Sequence, residues 1–115
     1  MTEFKSIDVQ NLNVVDKDGT VRMRLFNNDN IPPVLQDGED FLPGHRQNDP
    51  IAGLMFYNAE GDECGGLIFG NEKDDHGNFK SVASLTFDQY KQDQVVQMHY
   101  DDENGQRNYG FSIYD

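Results

Sequence analysis

The chain has no tryptophan, one cysteine and four prolines, and only 9 of its 115 residues are lysine or arginine. Each shortage excludes something. One thiol, Cys64, closes no intrachain disulfide and supplies no cysteine-rich metal motif, which fits a reducing compartment and leads us to expect a cytoplasmic protein. So few cations against 21 acids give a formal charge of -12. A polyphosphate is repelled by that field, because nucleic-acid affinity rests largely on Lys and Arg displacing counterions. Nucleic acid and anionic membrane surfaces are therefore not expected as partners. No apolar run approaches the ~20 residues that span a bilayer, and residues 1–6 lack the basic and apolar regions of a signal peptide. Solubility alone explains the acidic surplus, although a cationic ligand or basic protein surface would also suit it.

What is present is core material and turn material. Eight Phe, five Tyr and recurring Val, Ile and Leu runs are enough for one folded domain over residues 1–115. The tetrad Asp16-Lys17-Asp18-Gly19 is echoed by Asn58-Ala59-Glu60-Gly61 and Asp102-Glu103-Asn104-Gly105, with glycines 42 and 44 residues apart. Each tetrad is entered from one apolar stretch and left into another. The exits Val21-Arg22-Met23-Arg24-Leu25-Phe26 and Tyr109-Gly110-Phe111-Ser112-Ile113 alternate with the period of two of a strand with one wet and one dry face. A polar tetrad ending in Gly suits a tight turn that finishes in a left-handed residue, so three β-hairpins are predicted.

Further strands are predicted at 5–10 and at 79–87, where Phe79, Ser81, Ala83, Leu85 and Phe87 share a face. About eight short strands point to an all-β fold, a small antiparallel meander barrel, calycin-like in plan, with a β-sandwich as the alternative. Asp88 is a candidate N-cap for a helical turn or ordered loop before Val95-Val96 re-enters a strand. A long polar connection over 27–50 is either a lid or disordered, and its Ile31, Val34, Leu35, Phe41 and Leu42 argue that part of it packs down. The polar stretch 71–78, with Gly77, fits an exposed turn.

The chemistry-bearing residues are sparse. Asp16, Asp18 and Gly19 resemble the start of a calcium loop but lack the remaining ligands over about twelve residues, and turn chemistry explains them better. His45, His76 and His99 have no metal-ligand spacing, so neither metal nor cofactor is expected. In Asp62-Glu63-Cys64-Gly65-Gly66 two acids precede the thiol, a setting that disfavours a thiolate, and the paired glycines mark a bulge or a close backbone approach. Arg22 and Arg24 share a strand face and are expected to point outward as salt-bridge partners.

The strings Gly61-Asp62-Glu63-Cys64-Gly65-Gly66-Leu67 and Leu85-Thr86-Phe87-Asp88-Gln89-Tyr90-Lys91-Gln92-Asp93-Gln94 resemble those of a family of small bacterial proteins without an assigned function. The likeness continues through Asn104-Gly105-Gln106-Arg107, covers mainly residues 50–115, and implies no reaction, substrate or site.

Three functions follow as expectations. The first is a binding module whose barrel holds a small apolar or amphipathic ligand against Phe56, Cys64, Phe87, Tyr90, Met98, Tyr100 and Phe111. The second is a small barrel enzyme of the isomerase or cyclase kind, moving protons with Glu63, His99 or Tyr100. The third is a structural or interaction protein with a filled barrel whose outer strands or edges form a homo-oligomer.

Overall fold

The computed structural model describes residues 2–32, the strands Leu35–Gln36 and Glu39–Asp40, and residues 50–114. The described chain is all β. Its strands are β1 (Asn11–Val15), β2 (Val21–Phe26), β3 (Leu35–Gln36), β4 (Glu39–Asp40), β5 (Ala52–Tyr57), β6 (Glu63–Lys73), β7 (Phe79–Asp88), β8 (Gln94–Glu103) and β9 (Gln106–Ile113). Seven of them form one antiparallel sheet in the order β1-β2-β5-β6-β7-β8-β9, while β3 and β4 pair only with each other. Among the described residues no helix is long and apolar enough to cross a membrane.

Turn chemistry sets this meander. At Asp16, Asn58 and Asp74 the same reversal recurs: the backbone N–H of that residue donates to the carbonyl four residues on, and the N–H of the glycine three residues on donates back. Those glycines, Gly19, Gly61 and Gly77, have φ of 89°, 90° and 86°, a conformation that costs glycine nothing. Polar side chains complete the turns. Asn58 Oδ1 accepts from the N–H groups of Glu60 and Asp62, and Asp74 Oδ1 from those of His76 and Asn78. The third expected hairpin closes by a two-residue turn instead, with Asn104 and Gly105 both at positive φ, the signature of a turn whose twist matches the strands it joins. Of residues 71–78, read from sequence as an exposed turn, 71–73 instead extend β6, and Asp74 to Asn78 provide the turn of a fourth hairpin built on the same chemistry as the first two.

Three expectations are corrected. Residues 5–10 form no strand, because β1 begins at Asn11 opposite Phe26, the last residue of β2, where the β1–β2 ladder ends. Asp88 caps no helix. It pairs with Gln94 as the final rung of β7 and β8, which leaves residues 89–93 only a tight reversal, with Lys91 at φ 56° and the Gln89 N–H donating to the Asp93 carbonyl. Among the described residues the sheet is also not closed: β1 pairs only with β2, and β9 only with β8. Barrel closure needs the two edge strands to pair with each other, and the described ladders run from β1 to β9 with no rung joining those two.

The buried apolar side chains of the described residues are Phe26, Ile31, Ile51, Met55 and Tyr57, with Val21, Ile68 and Val82 packed against them. Phe26, Gly53 and Ile68 form one cross-strand row, and Arg24, Met55 and Gly66 the next, so this core lies on the Arg24 face of the sheet. Ile31 and Ile51, on the approaches to the 27–50 connection, bury on the same core. Val34, Phe41, Leu42 and His45 lie outside the described residues.

Candidate functional site

The other face of the sheet is the most unusual surface of the molecule. Residues directly opposite one another in a ladder project to the same side. The ladders place Leu12, Leu25, Leu54, Leu67, Leu85, Met98 and Phe111 in one unbroken row across all seven strands. Two residues along, a parallel row runs Val14, Met23, Phe56, Gly65, Phe87, Val96 and Ile113. On the other flank, Ala52, Phe69, Ala83, Tyr100 and Tyr109 form a third. None of these positions carries a charge. Many are open to solvent: Met98 is 54% exposed, Phe111 61% and Ile113 72%.

Of the paired glycines of β6, Gly65 belongs to this surface and Gly66 to the opposite, Arg24 face. Gly65 sits between Phe56 and Phe87 in the second row, and the two rings stack across it with centroids 6.3 Å apart. A Cβ on Gly65 would lie 2.4 Å from the Thr86 carbonyl oxygen and 3.0 Å from the Phe56 ring. The missing side chain therefore admits the stack and the close approach of β7, as a glycine beneath cross-strand aromatics does elsewhere. Between Val9 and the middle of the face, Leu25, Leu54, Leu67 and Phe69 help line an open groove of about 420 Å³.

The polar face is arranged differently. Arg22 pairs with Asp16 at 3.1 Å and donates from Nε to the Tyr57 carbonyl, while Arg24 lies over the Tyr57 ring, 5.8 Å from its centroid. Both arginines project opposite Met23 and Leu25, as alternation predicts, but only Arg22 is the expected outward salt-bridge partner; Arg24 packs on the buried Tyr57 with its Nε buried. Near the turns, Lys91 bridges Glu60 at 3.0 Å and the buried Asp62 at 3.1 Å, and the Tyr90 hydroxyl donates to Glu60. These bonds to its charged form hold the Glu60 carboxyl below its ordinary pKa and push the Tyr90 phenol up. They tie the β5–β6 turn to the β7–β8 turn.

The residues singled out by sequence fall into distinct places. Phe56, Phe87, Met98, Tyr100 and Phe111 share the apolar face. Tyr90 stands apart in its turn, bonded to Glu60. Cys64 is the extra residue of a bulge, since Tyr57 pairs with Glu63 and Phe56 with Gly65. Burial, reinforced by the negative charge of Asp88, raises its thiol pKa, so it holds its proton at neutral pH. Glu63, His99 and Tyr100 do not converge. His99 opposes Ser84 and Gly110 on the polar face, Tyr100 projects to the apolar face, and Glu63 lies at the start of β6. The Tyr100 hydroxyl instead faces Asp102, whose carboxylate also accepts from the Gly105 N–H and meets Arg107. Among the described residues no cluster of His, Cys, Asp and Glu is placed to hold a metal ion.

Sequence reasoning missed Leu12, Leu25, Leu54, Leu67 and Leu85, the aliphatic backbone of the central row. Their signal is the register itself: stepping outward from the Asp74–Asn78 turn pairs Leu67 with Leu85, and from Asn104-Gly105 pairs Met98 with Phe111. Bulges, however, shift the β1–β2 and β5–β6 ladders by one residue, and neither β2–β5 nor β7–β8 is joined by a glycine turn, so the full row is not readable from the turns. No family model matches the chain, and no curated protein or solved structure is significantly similar to it.

Proposed function

We propose that this chain is a structural or interaction protein that works as a homo-oligomer, with the apolar sheet face as its working surface. The observation that carries this reading is the uncharged row from Leu12 to Phe111, in which Leu12, Leu25, Leu67, Met98 and Phe111 are each more than 40% exposed. A soluble monomer rarely shows a contiguous apolar patch above a few hundred Å², and three rows over five to seven strands exceed that. The single thiol supports a cytoplasmic setting for this role.

The other readings find less support. A sequestered ligand needs an enclosed interior, and the described strands leave the sheet open; the groove beside Leu67 is likewise open to solvent. An isomerase or cyclase needs its proton-transfer groups around one substrate position, whereas His99 and Tyr100 project to opposite faces. Size-exclusion chromatography with light scattering, and native mass spectrometry of the full chain, test the proposal. More than one chain per particle is expected, and a protein still monomeric at hundreds of micromolar rejects it.

A further inference from the structure

We infer that the occupant of the apolar face is a second copy of this chain, laid sheet against sheet about a two-fold axis that passes beside Leu67, so that two open sheets make one two-layer sandwich. This rests on the homo-oligomer reading and adds which surface meets which.

The first argument is area. Six inter-strand spacings of about 4.8 Å and three rows about 6.8 Å apart, with half a side chain at each margin, give a flat face on the order of 600 Å². Two such faces bury roughly 1,200 Å², which reaches the range of stable specific interfaces. The second is charge. The chain carries -12, so self-association is opposed at long range. That repulsion is smallest where two uncharged faces meet, because the three rows that would then face each other across about 10 Å carry no charge and contribute no like-charged pair within the contact. A basic partner would need acids within the contact, and the three rows have none. The third is symmetry. A two-fold contact uses the same patch on both copies and passes through its centre. The centre of this face is Leu67, the middle position of the central row on the fourth of seven strands.

Edge pairing is the competing assembly, in which β9 of one copy joins β1 of the next to make a large ring. A ring of fourteen strands encloses a wide lumen, and the apolar rows lining it would remain wet. Face-to-face packing covers them directly.

The test compares wild type with Leu67→Lys, Met98→Lys and Asn108→Lys by sedimentation equilibrium, with far-UV circular dichroism as the check on folding. Asn108 pairs with Asp101 on the polar face and is exposed, so Asn108→Lys should leave the dimer constant within about threefold. Leu67→Lys and Met98→Lys each place a lysine in both halves of the contact and should weaken it on the order of 100-fold or more. If Leu67→Lys does not fold, Met98→Lys at the exposed margin carries the test. A dimer unaffected by either lysine overturns the face-to-face arrangement in favour of edge pairing while leaving the homo-oligomer reading standing. A trimer or larger ring overturns the two-fold. A wild-type monomer overturns both.

Discussion

Replacing Gly65 with alanine examines the tightest point of the sheet. The new methyl would start 2.4 Å from the Thr86 carbonyl oxygen and 3.0 Å from the Phe56 ring, on a backbone at φ 152° that L side chains rarely adopt. Backbone strain of this kind costs on the order of 1–3 kcal/mol. Moving a ladder carbonyl aside adds an overpacking cost of about 1–3 kcal/mol, and disturbing the Phe56–Phe87 stack forfeits up to about 1 kcal/mol more. The sum is roughly 4 kcal/mol. Gly77→Ala is the matched control: its φ is 86°, but no atom lies within 4 Å of the added carbon, so only the left-handed penalty of about 1–2 kcal/mol applies. Urea titrations followed by far-UV circular dichroism, at one fixed chain concentration because an oligomer's midpoint moves with concentration, give both values. With a slope of about 1.5 kcal/mol per molar, Gly65→Ala should lower the midpoint by about 2–3 M and Gly77→Ala by about 1 M. Equal losses at the two sites would refute the claim that Gly65 is empty to admit its neighbours.

Self-association should tighten as salt is raised from about 0.05 M to about 0.5 M, because like-charged chains repel and screening removes the repulsion while apolar burial is kept; a dimer constant that weakens with salt would mean that ion pairs hold the contact. Cys64 should react with iodoacetamide more slowly than glutathione at neutral pH and overtake little until alkaline pH, since burial, Asp88 and Glu63 all raise its pKa; Asp88→Asn should speed the reaction, and an unchanged rate would remove Asp88 from the account. Asp18, Glu60 and Asp74 titrate below their ordinary values because bonds from Thr20, Tyr90 and Asn78 favour their charged forms. A folded value below the unfolded one means stability that is present above about pH 5 and lost as pH falls through the folded value, so the urea midpoint should decline below about pH 4 and Asp74→Asn should flatten part of that decline. A midpoint constant down to about pH 2.5 would count against the turn bonds.

The hairpins were legible because their information is local. Gly19, Gly61 and Gly105 each carry a conformation that a neighbouring strand pair demands, and the polar residues around them bond their own backbone. The alternation of Met23 and Leu25 with Arg22 and Arg24, and of Phe79 through Phe87, read the two faces correctly for the same reason. Closure was not legible, since it depends on whether β1 reaches β9 across the whole sheet, and residues 5–10 look strand-like by composition while lying beyond the end of β2, where their ladder stops. The working face was half visible: Phe56, Phe87, Met98, Tyr100 and Phe111 stand out as aromatics and methionine, whereas Leu12, Leu25, Leu54, Leu67 and Leu85 align only once six registers are known. Gly65 drew notice as an oddity of strand composition, and its reason, two rings meeting across it, is a cross-strand fact that no single segment contains.

A dry face in the sequence is normally the inside of its own chain, and the barrel expectation followed from that assumption. Here the sheet has two apolar layers of unequal size. The smaller, around Phe26, Met55 and Tyr57, is covered within the chain and takes in Ile31 and Ile51 from either side of the long connection. The larger is left uncovered by the described residues, although it is built with more regularity: one uncharged residue per strand in register across seven strands, and a glycine placed where two rings need room. Regular alternation with an uncharged interior face is what a sandwich half requires. The β-sandwich considered from sequence is therefore best sought between two chains, where the turns fix each sheet and the second copy supplies the layer that closure of one chain would have supplied. On that view the acidic surplus has a structural use as well as a solvating one: absent from the three apolar rows, it leaves them as the surface on which two such chains can meet.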